Sequence, residues 1–249
     1  MARHPTQGTY PPLDTLKPVC TDLWIVDGPI IRFGWPKMPF PTRMTIIRLG
    51  GDLFVHSPTP LTRALRIQVD SIGRVRWIAG PNRIHYWWIP DWHRTYPDAQ
   101  VFLAPRTPQQ AGGRINFPYT ILDRADGYPW DRDIVTLPVP GAWMTEIVFF
   151  HRPSRTLVLA DLIENFERDR LGLAPRLLAY LGGVLDPHGS MPRDLRMTFV
   201  RHKTLLRAAV DTMIGWNPRR VIIAHGRWYT QRGAAELRRA FRWLRPTVR

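Results

Sequence analysis

Apolar residues in the first part of the chain come in short runs separated by turn residues. Leu23–Val26, Ile30–Phe33, Met44–Leu49 and Leu53–Val55, the last pair flanking Gly50-Gly51, predict antiparallel strands and hairpins. Prolines 36, 39 and 41 predict a loop between the second run and the third. Ahead of these runs, residues 1–20 hold four prolines, at 5, 11, 12 and 18, and predict an arm lying on the surface. From residue 61 the pattern changes. Leu61–Val69 predicts a helix and Val75–Ala79 a strand that ends at Gly80-Pro81. Asn82 then serves as the N-cap of a helix to about Trp92, and Val101–Leu103 comes next as a strand. This strand–helix–strand unit is the usual connection between parallel neighbours.

Residues 105–130 are polar, rich in Pro and Gly, and loop-like. Ile134–Val139 reopens the β pattern, and Glu146–Phe150 and Thr156–Ala160 form a hairpin around His151–Arg155, closed by Asp161. Ala174–Leu181 is helical, and Leu206, Ala209, Val210 and Met213 recur at helical spacing. Val221–Ala224 is a short buried-type strand that runs into His225-Gly226. A last helix carries Leu237, Ala240, Phe241 and Leu244 on one stripe. The order predicts an arm, residues 1–20, and a single α/β domain, residues 21–249, with two helix-covered sheets.

Composition narrows the class. With 44% hydrophobic and 11% aromatic residues in 249, a large core is affordable and global disorder is excluded. One cysteine, Cys20, excludes an internal disulfide framework and a cysteine-cluster zinc site. No apolar run approaches the length of a membrane span, and the proline-rich start is not a signal peptide, so a cytoplasmic protein is expected. The formal net charge is +15, and from Arg193 onward 14 basic residues face 3 acidic ones. Arg238, Arg239, Arg242 and Arg245 lie opposite the last helix's apolar stripe. Such a face predicts weak, non-specific polyanion binding that salt abolishes.

Three polar motifs directly succeed predicted core strands: Asn82 to His85, Asp161, and His225-Gly226. A fourth, His56-Ser57, comes after Leu53–Val55. Polar groups at the carboxyl ends of α/β strands are where ligand sites gather. Imidazole and carboxylate together suit zinc, iron or manganese, or general acid–base work. Each residue has a plain structural alternative: Asp161 as an N-cap for the next segment, His85 packed among Trp87, Trp88 and Trp92, His56 in a turn contact, and His225 as a solvated histidine in a tight turn before Gly226. The other histidines fall in predicted arm, turn, loop or exposed helix. No phosphate-binding loop, nucleophile elbow, zinc-protease helix or dinucleotide fingerprint competes.

The order of these motifs resembles the metallo-β-lactamase superfamily over roughly residues 20 to 245. The His85 stretch, the hairpin ending in Asp161 and the strand ending in His225-Gly226 look like its first, bridging-aspartate and last metal motifs. The resemblance implies an αββα four-layer sandwich and metal-dependent hydrolysis, in which the ion activates water and polarises the scissile group. Two departures matter. The family's His-x-His-x-Asp-His is here Asn82-Arg83-Ile84-His85-Tyr86-Trp87-Trp88, and its Gly-His-Thr turn is Gly141-Ala142-Trp143. What the resemblance retains is His85, Asp161 and His225, a set for one zinc or iron ion per chain. His56, Asn82 and Glu146 are spare side chains beside it. The reading is a hydrolase-like protein with a reduced metal site and a small-molecule substrate of unspecified class. The alternative is a binding or scaffold protein that keeps the fold without metal. Oligomeric state has no signature in the chain.

Overall fold

The computed structural model describes residues 8–34 and 37–244, which fall into two compact units, residues 1–123 and 124–249. The expected arm lies in part outside the described residues. Its far end is not an arm at all, because Lys17–Cys20 forms the edge strand β1.

The first unit is built on a seven-stranded sheet whose strands lie in chain order. Strands β1, β2 (Leu23–Phe33), β3 (Met38–Leu49) and β4 (Asp52–His56) run antiparallel. From β4 the ladder turns parallel through β5 (Arg74–Gly80), β6 (Gln100–Leu103) and β7 (Thr120–Ile121). Helix α1 (Arg63–Ile72) makes the first crossover, with Leu65 and Val69 buried and Thr62 Oγ1 accepting from Leu65 N at 3.2 Å. Helix α2 (Ile89–Thr95) comes after β5 and buries Ile89 and Trp92. These side chains join Val26, Met44, Ile46, Val55 and Ile78 in one core. Further expectations are corrected in this unit. Pro39 and Pro41 lie inside β3, opposite Arg32 and Ile30 of β2, rather than in a loop. Strand β4 pairs with β3 only from Thr45 to Leu49, so a missing N–H on that flank breaks no ladder. The helix expected from Asn82 starts only at Ile89, and residues 105–130 include a short helix α3 (Thr107–Ala111) as well as β7.

The second unit carries a four-stranded sheet, ordered β11-β10-β9-β8. Strands β8 (Ile134–Pro140), β9 (Thr145–His151) and β10 (Thr156–Val158) are antiparallel, and β11 (Arg220–Ile222) pairs parallel with β10. Between β10 and β11 the chain forms helices α4 (Leu173–Gly182), α5 (Arg193–Thr198) and α6 (Lys203–Gly215). The last helix, α7, spans Gly233–Ala240. Leu206, Val210 and Met213 of α6 and Leu237 of α7 pack with Val148, Leu157 and Val221 in this unit's own core. His151, expected in an exposed turn, ends β9 buried, with Nδ1 2.7 Å from Ser154 Oγ. No described helix is long and apolar enough to cross a membrane.

Candidate metal centre

In the first unit, parallel pairing of β4 with β5 brings His56 opposite Ala79, so both strands deliver polar residues at the same end. Ser57, next after His56, has a positive φ of 52°, and its N–H donates to Ala79 O at 2.9 Å. Its hydroxyl lies 2.6 Å from His85 Nδ1. His85 therefore sits in a turn rather than on a helix. That turn is set by Asn82, fully buried, whose Oδ1 accepts from Ile84 N at 3.0 Å and His85 N at 3.2 Å. Asn82 thus orients His85 instead of capping a long helix. His56 is buried, and burial, with a smaller effect from the neighbouring His85, pushes its pKa down to about 3. It is a neutral imidazole at physiological pH. His93 packs against Phe117, ring centroids 4.3 Å apart.

In the second unit, the chain leaving β10 is caught by one side chain. Glu146, fully buried on β9, accepts from Ala160 N at 2.8 Å through Oε1, and through Oε2 from Asp161 N at 2.7 Å and Leu162 N at 3.1 Å. Hydrogen bonds to a buried carboxylate are among the stronger ones, so three of them fix the bend that projects Asp161. Both Glu146 carboxylate oxygens are thus engaged by backbone N–H groups. Asp161 Oδ1 lies 3.1 Å from His225 Nε2, and both residues are buried. His225 is held by its own neighbours, since Asn165 N donates to His225 O at 3.2 Å and Arg227 N to Asn165 O at 2.8 Å. Gly226 must be glycine. Its φ is +96°, and a Cβ there would lie 2.1 Å from Asn165 O.

Two residues of this region carry no mark in the motif pattern. Asn165 ties three segments through its side chain: Nδ2 donates to Asp186 Oδ1 at 2.9 Å and Arg227 O at 2.8 Å, and Oδ1 accepts from Gly189 N at 3.0 Å. Glu164 is buried three residues beyond Asp161. Burial first, then Asp161, Asp194 and Glu146, push its carboxyl well above the usual range, toward the neutral acid. The run Asp161-Leu-Ile-Glu164-Asn165 held the available signal, three polar side chains directly after a core strand. Ala142, where the family pattern has histidine, donates its N–H to Thr198 O at 3.1 Å, and the adjacent Trp143 is 37% exposed.

His85, Asp161 and His225 are two imidazoles and a carboxylate, residue types that could hold a metal ion. The two sheets and their helices match solved metallo-β-lactamases, so the chain has the metallo-β-lactamase fold. The enzyme from Hirschia baltica is 14% identical, with a TM-score of 0.63 over 94% of this chain and 99% of that one. FIM-1 from Pseudomonas aeruginosa, solved in a mono-zinc form, is 14% identical, with a TM-score of 0.62 over 93% and 96%. The Flv1 flavodiiron core from Synechocystis is 13% identical, with a TM-score of 0.62 over 92% of this chain and 60% of that one. A comparison with curated protein sequences finds no match. The chain belongs to the family described as "Domain of unknown function (DUF4336)", whose model matches residues 31–177. That match includes His85 and Asp161 and ends before His225.

Proposed function

We propose that the protein is a metal-dependent hydrolase with a mononuclear centre, in which His85 of the first unit joins Asp161 and His225 of the second around one zinc or iron ion. The observation that carries this reading is the buried Asp161–His225 pair, 3.1 Å apart and fixed by Glu146. The pair puts an imidazole and a carboxylate, both ligand types for zinc and iron, side by side in a buried place. Once bound, the ion would supply Lewis acidity to polarise a scissile carbonyl or phosphoryl group and to activate water. The remaining work falls to the protein's own groups. Ser57 at His85 Nδ1 fixes the ring so that Nε2 is the nitrogen presented for ligation. Glu146 keeps the Asp161 backbone from relaxing. Glu164, held toward its neutral form, adds little negative charge beside Asp161. The substrate is a small molecule, and the basic carboxyl-terminal quarter contributes only weak, salt-sensitive attraction for polyanions.

Elemental analysis of untagged protein purified without added metal tests the centre. About one equivalent of zinc or iron per chain is expected, with His85→Ala, Asp161→Asn and His225→Ala each lowering it. Content near zero in the parent protein, unchanged after incubation with Zn²⁺ or Fe²⁺, would replace this reading with a metal-free binding or scaffold protein.

A further inference from the structure

The second unit also contains a cavity of about 370 Å³ that belongs to no part of the candidate centre. Arg168, Arg193, Arg196, Arg239 and Arg242 contribute to its wall. Two of these charges are occupied locally. Arg239 pairs with Glu236 at 2.7 Å, and Arg196 donates to Met191 O at 2.8 Å and Ser190 Oγ at 2.7 Å while its guanidinium lies 4.8 Å over the Trp243 ring. Arg168, Arg193 and Arg242 have no carboxylate partner among the described residues. The one carboxylate in the wall, Asp186, is bonded to Asn165 and lies 3.5 Å from Arg227. The cavity therefore holds excess positive charge. Burial, then repulsion from Arg193 and Arg242, lowers the pKa of Arg196. Arginines gathered against their mutual repulsion, with a single carboxylate in the wall, fit a multivalent oxyanion.

A second hollow, of about 280 Å³, shares Arg168, Tyr180 and Leu185 with this cavity and adds Leu173, Arg176 and Leu177. Its floor is the outer face of α4, where Leu173 is 84%, Leu177 59% and Tyr180 64% exposed. A solvated helix face is ordinarily polar, so apolar side chains left in water at this level mark a contact surface. Charge and grease thus meet at one shared wall.

We propose that this pair of hollows binds a single-chain anionic amphiphile, an alkyl or acyl phosphate, with its head among Arg193, Arg196 and Arg242 and its chain along Leu173, Leu177 and Tyr180. Charge complementarity selects the head, and the wall the two hollows share, Arg168, Tyr180 and Leu185, places the tail. The site does not depend on the metal centre.

Calorimetric titration with decyl phosphate below its micelle-forming concentration, at about 0.15 M salt, tests this. One site per chain is expected. Each methylene seated on apolar surface is worth about fourfold in affinity, so hexyl phosphate should bind at least tenfold more weakly, and inorganic phosphate more weakly again. The double variant Arg193→Ala/Arg242→Ala, with an unchanged circular dichroism spectrum, should lose at least tenfold for every chain length. Leu173→Ser/Leu177→Ser should erase the difference between decyl and hexyl phosphate. Asp161→Asn should leave all these affinities within twofold, which separates this site from the metal centre. Equal affinity for decyl and hexyl phosphate, indifference to the double arginine variant, or binding only to vesicles containing anionic phospholipid would each overturn the proposal, the last in favour of a membrane surface.

Discussion

The two units hold their reactive side chains by different means. In the first, His85 stands in an irregular turn, and its placement comes from two side chains, Asn82 beneath its backbone and Ser57 at its ring. In the second, Asp161 and His225 sit on segments bonded to one another through the backbone of Asn165, above a buried carboxylate that takes three N–H groups. Side-chain bonds at a partly exposed turn can be lost one at a time. A backbone pairing over a buried charge is lost all together. The second unit therefore holds its candidate ligands rigidly, and the first holds His85 adjustably.

Four substitutions measure this contrast. The largest effect is expected from Gly226→Ala, because the new Cβ meets Asn165 O in a left-handed backbone that alanine disfavours. A loss of more than about 3 kcal/mol in urea unfolding is expected, and a midpoint within error of the parent would show that this turn yields. Glu146→Ala comes next, at roughly 3–5 kcal/mol, since three buried N–H groups lose a charged acceptor at once. Glu146→Gln should recover part of the loss.

Glu164 gives a pH test. Its folded pKa lies well above its ordinary value of 4.5, so the folded state binds more protons than the unfolded state across the interval between them. Stability from this group is full below about 4.5 and is lost as pH rises through the folded pKa. Relative to Glu164→Gln, the parent's urea midpoint should fall from pH 5 to pH 8, and parallel curves for the two proteins would remove Glu164 from the argument. The smallest effect belongs to the first unit. Asn82→Ala should cost only about 1–2 kcal/mol, while loosening the His85 turn enough to weaken metal retention. A loss as large as that of Glu146→Ala would erase the contrast between the units.

Much of this was legible in the chain. The strands that deliver the centre are short apolar runs ending in polar residues, so Ala79, Ala160 and Ala224 each announce a polar group just beyond a β core. The hairpin over β9 and β10 is readable from alternation and a turn, and the stripe Leu206, Ala209, Val210 and Met213 locates α6. Other features depend on tertiary context. Asn82 has the composition of a helix cap, and whether its Oδ1 serves a helix or an isolated turn is decided by the packing of Trp92, whose indole N–H donates to Thr59 O at 2.7 Å. Glu146 resembles a ligand in sequence because nothing local says which buried N–H groups need an acceptor. Asn165 bonds to residues 21 to 62 positions away, and such partners leave no periodic trace. The arginine stripe expected opposite the last apolar helix face is only partly outward. Arg239 turns inward to Glu236 and to Tyr229 Oη, at 3.0 Å, and Arg245 lies outside the described residues.

The prolines of β3 bear on how the protein behaves in a crowded solution. A strand flank with regularly spaced N–H donors is a template on which another chain can add a strand, the first step of edge-to-edge aggregation. Pro39 and Pro41 are two residues apart, so their missing donors fall on the same flank, the one away from β2. That flank therefore carries a broken row of donors. The hairpin of β2 and β3 can therefore be long without inviting a second molecule to extend it, and replacing both prolines with threonine should raise turbidity on prolonged warming without altering the monomer's fold.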